Sequence, residues 1–316
     1  MHVAIAIVGF RNAGDILTCL GALATATYPH FEVVICENGG EESYQSLVKA
    51  LPAKLPGGQP TRIICAADNL GYAAGVNVCL RATVDADAWW ILNPDTVPDS
   101  RALEFLVQRL RVGDCEVVGG VLYGCDHRVQ TLGGRWLPWL ARAEAIGKGV
   151  PVDESGIEDV ERLIDFVSGA SMLVSRRFVD TVGPMREDYF LYCEEVEWCV
   201  RARSVGMRLG FADRARVMHN QGSSTGSGLR VSERPKLQIY LDERNKLLLT
   251  ADRFPKRLAI AAIAALFLIL LRYGMQGTAQ QVGIALRGWW AGLKGERGRP
   301  NWREGVHVAH SIQLRT

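Results

Sequence analysis

The chain has 316 residues, 48% of them hydrophobic, a size that suits one large α/β domain with an appendix or two modest domains. Its formal net charge of +2 lacks the basic excess typical of nucleic-acid-binding proteins, so we expect no nucleic-acid partner. The eight cysteines include no C-x-x-C pair, which favours a reduced, intracellular protein. The N-terminus lacks the charged start and cleavage site of a secretory signal, and we expect no export.

Short apolar runs alternate with helix-like segments over the first hundred residues. The predicted strands are 3–8, 31–36, 61–65 and 88–92, and the predicted helices are 15–26, 43–51 and 72–83. This alternation predicts βαβ units and a mostly parallel sheet, with the carboxyl ends of the strands at one edge. A polar, turn-forming cluster follows each strand, and we expect these clusters to converge on one crevice: 9–11, 37–40, 68–71 and 93–95.

The last of these clusters, Asn93-Pro94-Asp95, ends an apolar strand-like run abruptly. Taken alone, the tripeptide is typical of a turn, because all three residues favour turns. A carboxylate at the end of a buried strand is also well placed to hold a divalent cation against a diphosphate, since oxygen ligands suit Mg²⁺ and Mn²⁺. Asp95 is therefore a candidate metal ligand.

Further along the chain, two predicted elements carry candidate site residues. A helix predicted over 194–205 opens with Glu194, Glu195 and Glu197, and acids in a first turn also favour the helix dipole. That simpler explanation is the preferred one for Glu194. His219 ends a predicted strand, and it is either a metal ligand or a surface histidine before a turn.

A continuously apolar run at 258–271 is followed by Arg272 and preceded by further basic residues. It is shorter than the roughly 20 residues needed to span a bilayer. It is therefore either a buried or dimer-forming helix or a helix docked in the inner leaflet of a membrane. The basic flanks and the nearby Trp289 and Trp290 favour the membrane interpretation, while a homo-oligomer stays open.

Read in order, these clusters resemble the inverting nucleotide-sugar glycosyltransferases of family 2, of the GT-A type, especially a bacterial rhamnosyltransferase-like branch. The resemblance covers about residues 2 to 250, and its segments are 8–11 with 15–20, 33–38, 69–77, 92–96, 168–174, 182–192, 194–206 and 215–219. It implies an α/β GT-A fold with a helical C-terminal extension. The implied parts are a nucleotide-sugar-binding half (1–99), an acceptor-binding and catalytic half (100–228) and a helical C-terminal extension (229–316). Membrane association is one of the interpretations of this extension.

The resemblance also implies roles for individual residues. Glu195 matches the catalytic base, and neighbouring charge and partial burial would raise its pKa towards a useful range. Asp95 and His219 match the ligands of a divalent metal, Mg²⁺ or Mn²⁺. Glu194 and Glu197 fall on the acceptor side, where Glu197 either orients the acceptor or supports its helix. The positions matching the nucleotide and donor side are Gly9, Arg11, Glu37, Asp68, Gly71 and Asn93.

The implied reaction moves a sugar from a nucleotide-diphosphate donor, with dTDP-rhamnose suggested by the branch, to a hydroxyl of a glycan or polyprenyl-linked acceptor. It belongs to cell-surface polysaccharide synthesis, and we expect a cytoplasmic protein in peripheral contact with the inner face of the cytoplasmic membrane. Two alternatives stay open. One is a nucleotidyltransferase acting on sugar phosphates, for which 9–14 is a poor phosphate loop, and the other is a non-catalytic carbohydrate-binding protein.

Overall fold

The computed structural model of the protein describes residues 1–154, 159–220 and 231–300, which contain eleven strands and ten α-helices. The strands are β1 (Val3–Gly9), β2 (Phe31–Glu37), β3 (Thr61–Cys65), β4 (Ala88–Leu92), β5 (Thr96–Pro98), β6 (Val117–Tyr123), β7 (Val129–Thr131), β8 (Gly134–Leu137), β9 (Arg142–Ala145), β10 (Ser171–Ser175) and β11 (Leu209–His219). The helices are α1 (Ala13–Leu23), α2 (Glu41–Ala50), α3 (Tyr72–Ala82), α4 (Ala102–Arg111), α5 (Val160–Leu163), α6 (Arg176–Val182), α7 (Glu194–Ser204), α8 (Lys236–Arg253), α9 (Leu258–Gln276) and α10 (Ala279–Leu293).

The first four strands form a parallel sheet in the order β3-β2-β1-β4, with one helix between each strand and the next. This confirms the predicted alternation. The side chains of β1 enter two apolar cores: Val3, Ile5 and Ile7 pack with α1 and α4, whereas Ala4 and Val8 pack with α3 and α7. Both faces of the strand are covered, which explains why its sequence is continuously apolar.

The second half of the main sheet mixes strand directions. β10 runs antiparallel to both β4 and β6, β11 is parallel to β6, and β5 is antiparallel to β11. The short strand β5, which the sequence did not predict, begins directly after Asp95 and pairs Thr96 with His219. The backbone N–H of Asn220 also donates to the carbonyl of Asp95 at 3.0 Å. These contacts bring the turn after β4 against the end of β11.

The last three helices pack together, and α8 also contacts α7. The backbones of α8 and α10 approach closely, since a Cβ at Gly292 would lie 2.6 Å from the carbonyl oxygen of Arg244. Arg253 of α8 forms an ion pair with Glu197 of α7 and so joins the C-terminal helices to the sheet. The predicted division at 228/229 lies outside the described residues, and the three-part organisation stays a prediction.

The apolar segment predicted at 258–271 lies within α9. Together with the turn before it, Pro255–Gln276 is long and apolar enough to cross a membrane by length and composition, with a mean hydropathy of 2.2. Only 28% of its most apolar window is buried inside the protein. Burial in a core therefore accounts for only part of its apolar character.

Candidate active site

A cavity of about 440 Å³ opens where β1 and β4 end. Asp95 and Glu195, which are a hundred positions apart in the chain, both line it. One side is polar and carries four asparagines: Asn12, Asn38, Asn69 and Asn93. The other side comes from the loop before α7 and the start of α8, and its apolar members are Phe190, Leu191, Tyr192, Pro235 and Leu237. The cavity thus has a polar side from the parallel half of the sheet and an apolar side facing the C-terminal helices.

Asp95 and His219 meet in this cavity. His219 Nε2 lies 3.3 Å from Asp95 Oδ1, and both side chains are about nine-tenths buried. The contact follows from the pairing of β5 with β11, which places the two backbones side by side. The sequence did not predict β5, which is only three residues long. It therefore identified Asp95 and His219 as separate candidate metal ligands but did not predict their contact.

Gln130 of β7 fixes the orientation of the His219 ring. Its Nε2 donates to the carbonyl oxygen of His219 at 2.7 Å, so its Oε1 is the atom that faces His219 Nδ1, at 3.1 Å. His219 Nδ1 must therefore carry a hydrogen, and Nε2, the other ring nitrogen, faces Asp95. An outer hydrogen bond of this kind is typical of metal-binding histidines.

The donor set suits a divalent cation. A carboxylate oxygen and an imidazole nitrogen lie 3.3 Å apart, and both are ligand types that divalent cations accept. The described residues contain no group of three or more His, Cys, Asp or Glu side chains able to hold a metal. A two-residue site fits Mg²⁺ or Mn²⁺, which commonly keep waters and substrate phosphates as their other ligands.

Glu195 lies in the first turn of α7 and packs over Gly169, where a Cβ would be 3.4 Å from the Cβ of Glu195. Burial raises the pKa of its carboxyl group, and this outweighs hydrogen bonds from the backbone N–H groups of Glu195 and Val196, which lower it. From the sequence we expected neighbouring charge and partial burial to raise this pKa, and burial is the raising cause in the structure. A raised pKa makes the carboxylate a stronger proton acceptor.

Glu194 is the more deeply buried acid of the pair, with 3% of its surface exposed. Burial and then the charge of Glu195 raise its pKa well above the ordinary value. Tyr72 lies beside both acids, and its hydroxyl donates to the carbonyl of Gly169 at 2.7 Å. Burial raises the pKa of Tyr72, and the charges of Glu194, Glu195 and Asp95 raise it further. Tyr72 is therefore within electrostatic range of the acid pair and of Asp95.

Glu197 does not line the cavity. It is fully buried and binds two arginines, with Arg201 Nε 3.1 Å from its Oε1 and the guanidinium of Arg253 on the same oxygen. The structure thus does not place Glu197 at the expected acceptor-side position. Its contacts match the alternative of a residue that supports its helix, because they join α7 to α8.

Among the donor-side candidates, Asn93 and Gly71 line the cavity, whereas Gly9, Arg11, Glu37 and Asp68 do not. Glu37 is fully buried beneath the loop after β1, where its Oε1 accepts from the backbone N–H groups of Arg11 at 3.1 Å and Gly39 at 2.7 Å. The carboxylate of Glu37, at the end of β2, therefore binds backbone N–H groups of two loops and does not line the cavity. Gly9 belongs to the same region, because it pairs with Glu37 in the sheet.

Arg11 and Asp68 lie nearer the surface. The side-chain Nε of Arg11 donates to the carbonyl of Gly39 at 3.1 Å. Asp68 is 80% exposed and lies 3.4 Å from the guanidinium of Arg299, in the segment that follows α10. Asp68, which was expected on the nucleotide and donor side, thus contacts the C-terminal segment.

Three residues that the sequence did not single out contribute to the site: Tyr72, Asn38 and Gln130. The first two belong to segments that carried the family resemblance, so their position after a strand was a usable signal. Asn38 is 3% exposed and donates to the carbonyl of Gly71 at 3.0 Å. Gln130 had no sequence signal, because its role depends on β7 lying close to the end of β11.

Comparison with known proteins supports a glycosyltransferase. Residues 2–238 match the family model described as "Glycosyltransferase like family 2". A low-salt glycan biosynthesis hexosyltransferase of Haloferax volcanii is 22% identical over 240 residues, covering 73% of this chain and 75% of the relative. An N-acetylglucosaminyl-diphospho-decaprenol L-rhamnosyltransferase of Mycobacterium tuberculosis is 26% identical over 256 residues, covering 74% of this chain and 79% of the relative.

Solved structures share the fold at low sequence identity. TarS of S. aureus, residues 1–349, has a TM-score of 0.57 at 13% identity, over 92% of this chain and 81% of that one. A mannosyltransferase of Pyrobaculum calidifontis, solved with GDP-Man and Mn²⁺, has a TM-score of 0.56 at 15% identity, over 92% and 80%. The predicted GT-A fold is confirmed by these neighbours. With its fold, its cavity and a family match over three quarters of its length, the chain belongs to glycosyltransferase family 2.

Proposed function

We propose that this glycosyltransferase is metal-dependent and inverting, with Glu195 as the catalytic base and Asp95 and His219 as metal ligands. The observation that carries the proposal is the shared cavity of Asp95 and Glu195, which offers a cation-binding end and a buried carboxylate to one bound sugar. Neither feature is needed by a non-catalytic carbohydrate-binding protein. The family assignment favours glycosyl transfer over nucleotidyl transfer.

The reaction would be a single in-line displacement. Glu195 takes the proton of the acceptor hydroxyl while that oxygen forms a bond to the anomeric carbon, and the bond from that carbon to the diphosphate breaks. Asp95 and His219 would hold a divalent cation, which would supply positive charge to the departing nucleoside diphosphate. Burial of Glu195 raises its pKa and so favours uptake of the proton.

For the substrates, we propose dTDP-rhamnose as the donor and a polyprenyl-linked glycan as the acceptor. The relative from M. tuberculosis is named for rhamnosyl transfer to a diphospho-decaprenol carrier. The apolar side of the cavity offers a surface for the first isoprenoid units of such a carrier. It is continuous with the C-terminal helices, because Phe190 shares an apolar cluster with Ile269 and Tyr273 of α9.

A turnover assay tests the function. Wild type, Asp95→Ala and Glu195→Gln are supplied with Mn²⁺, a panel of nucleotide sugars and an N-acetylglucosaminyl-diphospho-polyprenol acceptor. We expect wild type to use one donor and Glu195→Gln to lose about 100-fold or more in turnover, a common size for loss of a general base. Full turnover by Glu195→Gln would contradict the proposed base, and nucleotidyl products would support the alternative enzyme class.

We also propose that α9 contacts the membrane surface. Six exposed apolar side chains recur along one face of the helix at helical spacing: Ile260, Ile263, Phe267, Leu270, Leu271 and Met275. The β8–β9 hairpin extends this face, since Trp139 is 50% exposed and its ring lies 5.0 Å from the guanidinium of Arg257. Apolar side chains next to cations and an interfacial tryptophan fit an anionic lipid surface.

Vesicle sedimentation tests this contact. The double variant Ile263→Ser/Phe267→Ser should lose binding to phosphatidylglycerol vesicles, because it removes two of the most exposed apolar side chains of the face. Val112→Ser is the matched control, since Val112 is 67% exposed at the end of α4. Unchanged vesicle binding by the double variant would contradict the proposal, and a dimer that this variant dissociates would favour contact with a second subunit.

A further inference from the structure

The loop before α7 has an unusual backbone. Phe190, Tyr192 and Cys193 have φ angles of 69°, 74° and 68°. Residues with a Cβ avoid this left-handed region because the Cβ approaches the following carbonyl oxygen. Three such residues within four positions persist only where surrounding contacts hold them. The next two residues of the chain are Glu194 and Glu195, so the loop determines where the acid pair lies.

One side chain holds most of this loop. Asn245 of α8 is fully buried, and its Nδ2 lies within hydrogen-bonding distance of three loop carbonyls: Tyr189 at 3.0 Å, Leu191 at 2.8 Å and Tyr192 at 2.9 Å. The remaining carbonyl, that of Phe190, accepts from the backbone N–H of Tyr72 at 2.8 Å. The loop is therefore held from the donor half on one side and from the C-terminal helices on the other.

Arg244 sets the orientation of the Asn245 amide. Its Nε donates to Asn245 Oδ1 at 2.9 Å, so the Nδ2 of Asn245 must face the loop. Its two other nitrogens donate to the carbonyls of Tyr189 at 3.0 Å and Gly298 at 2.7 Å. Arg244 is 1% exposed, and its guanidinium donates to carbonyls and one amide. This is an arrangement for fixing backbone position.

We propose that Asn245, oriented by Arg244, is a positioning residue for glycosyl transfer. It holds the left-handed loop at 190–193 and thereby sets the place of Glu195 in the cavity. It touches neither substrate, because it lies outside the cavity lining. The inference rests on the proposed function of Glu195. It adds that the C-terminal helices are needed for catalysis as well as for any membrane contact.

Two variants and a matched control test the proposal. Asn245→Ala removes the hydrogen bonds to the loop. Arg244→Lys keeps the positive charge but removes the guanidinium whose Nε orients Asn245. Thr250→Val is the control, because Thr250 is also fully buried on α8 but donates only to the carbonyl of Lys246 in its own helix, at 2.8 Å. Melting temperatures show which variants fold. If Asn245→Ala does not fold, Arg244→Lys still tests the proposal.

We expect kcat of Asn245→Ala to fall by about 10- to 100-fold, the order of effect that a small misplacement of a catalytic group causes. The donor KM and the affinity for nucleoside diphosphate with Mn²⁺ should stay within about twofold, because the donor side is untouched. Arg244→Lys should show a smaller loss of kcat, and Thr250→Val should behave as wild type. Amide hydrogen exchange in peptides covering 187–196 should be faster in Asn245→Ala than in wild type, whether or not Arg244→Lys shows the same increase.

Two results would overturn the inference: a kcat of Asn245→Ala equal to that of Thr250→Val, or a loss that appears entirely in the donor KM. Unchanged exchange over 187–196 in Asn245→Ala would also overturn it, whatever the reaction is. Failure of the proposed function has a different signature, because Glu195→Gln would then keep its turnover while the exchange measurement still reports on the loop.

Discussion

Glu194 and Glu195 are adjacent acids with different surroundings. Both side chains line the cavity, but Glu195 accepts from two backbone N–H groups, whereas Glu194 Oε2 is buried with no hydrogen-bond partner among the described residues. Burial raises the pKa of Glu194 well above its ordinary value, and the charge of Glu195 raises it further.

This arrangement predicts a pH-dependent effect of Glu194→Gln on stability. A raised pKa in the folded protein contributes stability below the unfolded pKa, and the contribution is lost as pH rises through the folded pKa. At pH 8 the variant should therefore melt about 1–2 °C above wild type, which corresponds to about 1 kcal/mol for a chain of 316 residues. At pH 5 the difference should shrink, because that pH lies close to the ordinary pKa of a glutamate in the unfolded chain.

Calorimetric melts at the two pH values provide the measurement. Glu42→Gln is the control, since Glu42 is exposed in the first turn of α2 and should show no gain. A lower melting temperature of Glu194→Gln at pH 8, or an equal difference at both pH values, would show that Glu194 is not a destabilising buried charge.

At the scale of elements, the connection into α3 matters most for the site. Gly71 has a φ of +84°, and a Cβ there would overlap the carbonyl oxygen of Phe190. The family resemblance implied that this glycine lies on the nucleotide and donor side. In the structure it lets the backbone approach the loop before α7, and Tyr72 N–H donates to Phe190 as a result.

Gly71→Ala should therefore destabilise the protein by more than about 1–2 kcal/mol, the cost of a left-handed residue with a Cβ. Gly21→Ala is the opposite control. Gly21 lies inside α1, where an added Cβ would meet no atom within 4 Å, and alanine there should stabilise by up to about 1 kcal/mol. Urea unfolding of both variants measures the difference, and equal effects in the two would contradict this explanation of Gly71.

The regular elements were predictable from local pattern. β3 and β4 have their predicted bounds, and α7 begins at the predicted Glu194, because strand alternation and first-turn acids are local signals. The contact of Asp95 with His219 and the place of Glu37 were not predictable. The first depends on the short strand β5, and the second on how the loop after β1 folds over the end of β2.

For the molecule as a whole, the site lies between parts of the chain that are far apart in sequence. The parallel half of the sheet supplies Asp95 and the asparagine-rich side, the middle of the chain supplies Glu195 and His219, and the C-terminal helices hold the loop through Asn245. Donor binding and proton removal are therefore expected to fail independently, because they depend on different side chains of one cavity.

Calorimetric titration with a nucleoside diphosphate and Mn²⁺ tests this independence most directly. We expect Glu195→Gln to bind within about threefold of wild type, and Asp95→Ala to lose the Mn²⁺-dependent part of binding, a loss of about tenfold or more. If Glu195→Gln lost nucleotide affinity as severely as Asp95→Ala, or if Asp95→Ala kept its Mn²⁺ dependence, the assignment of separate roles to the two acids would be contradicted.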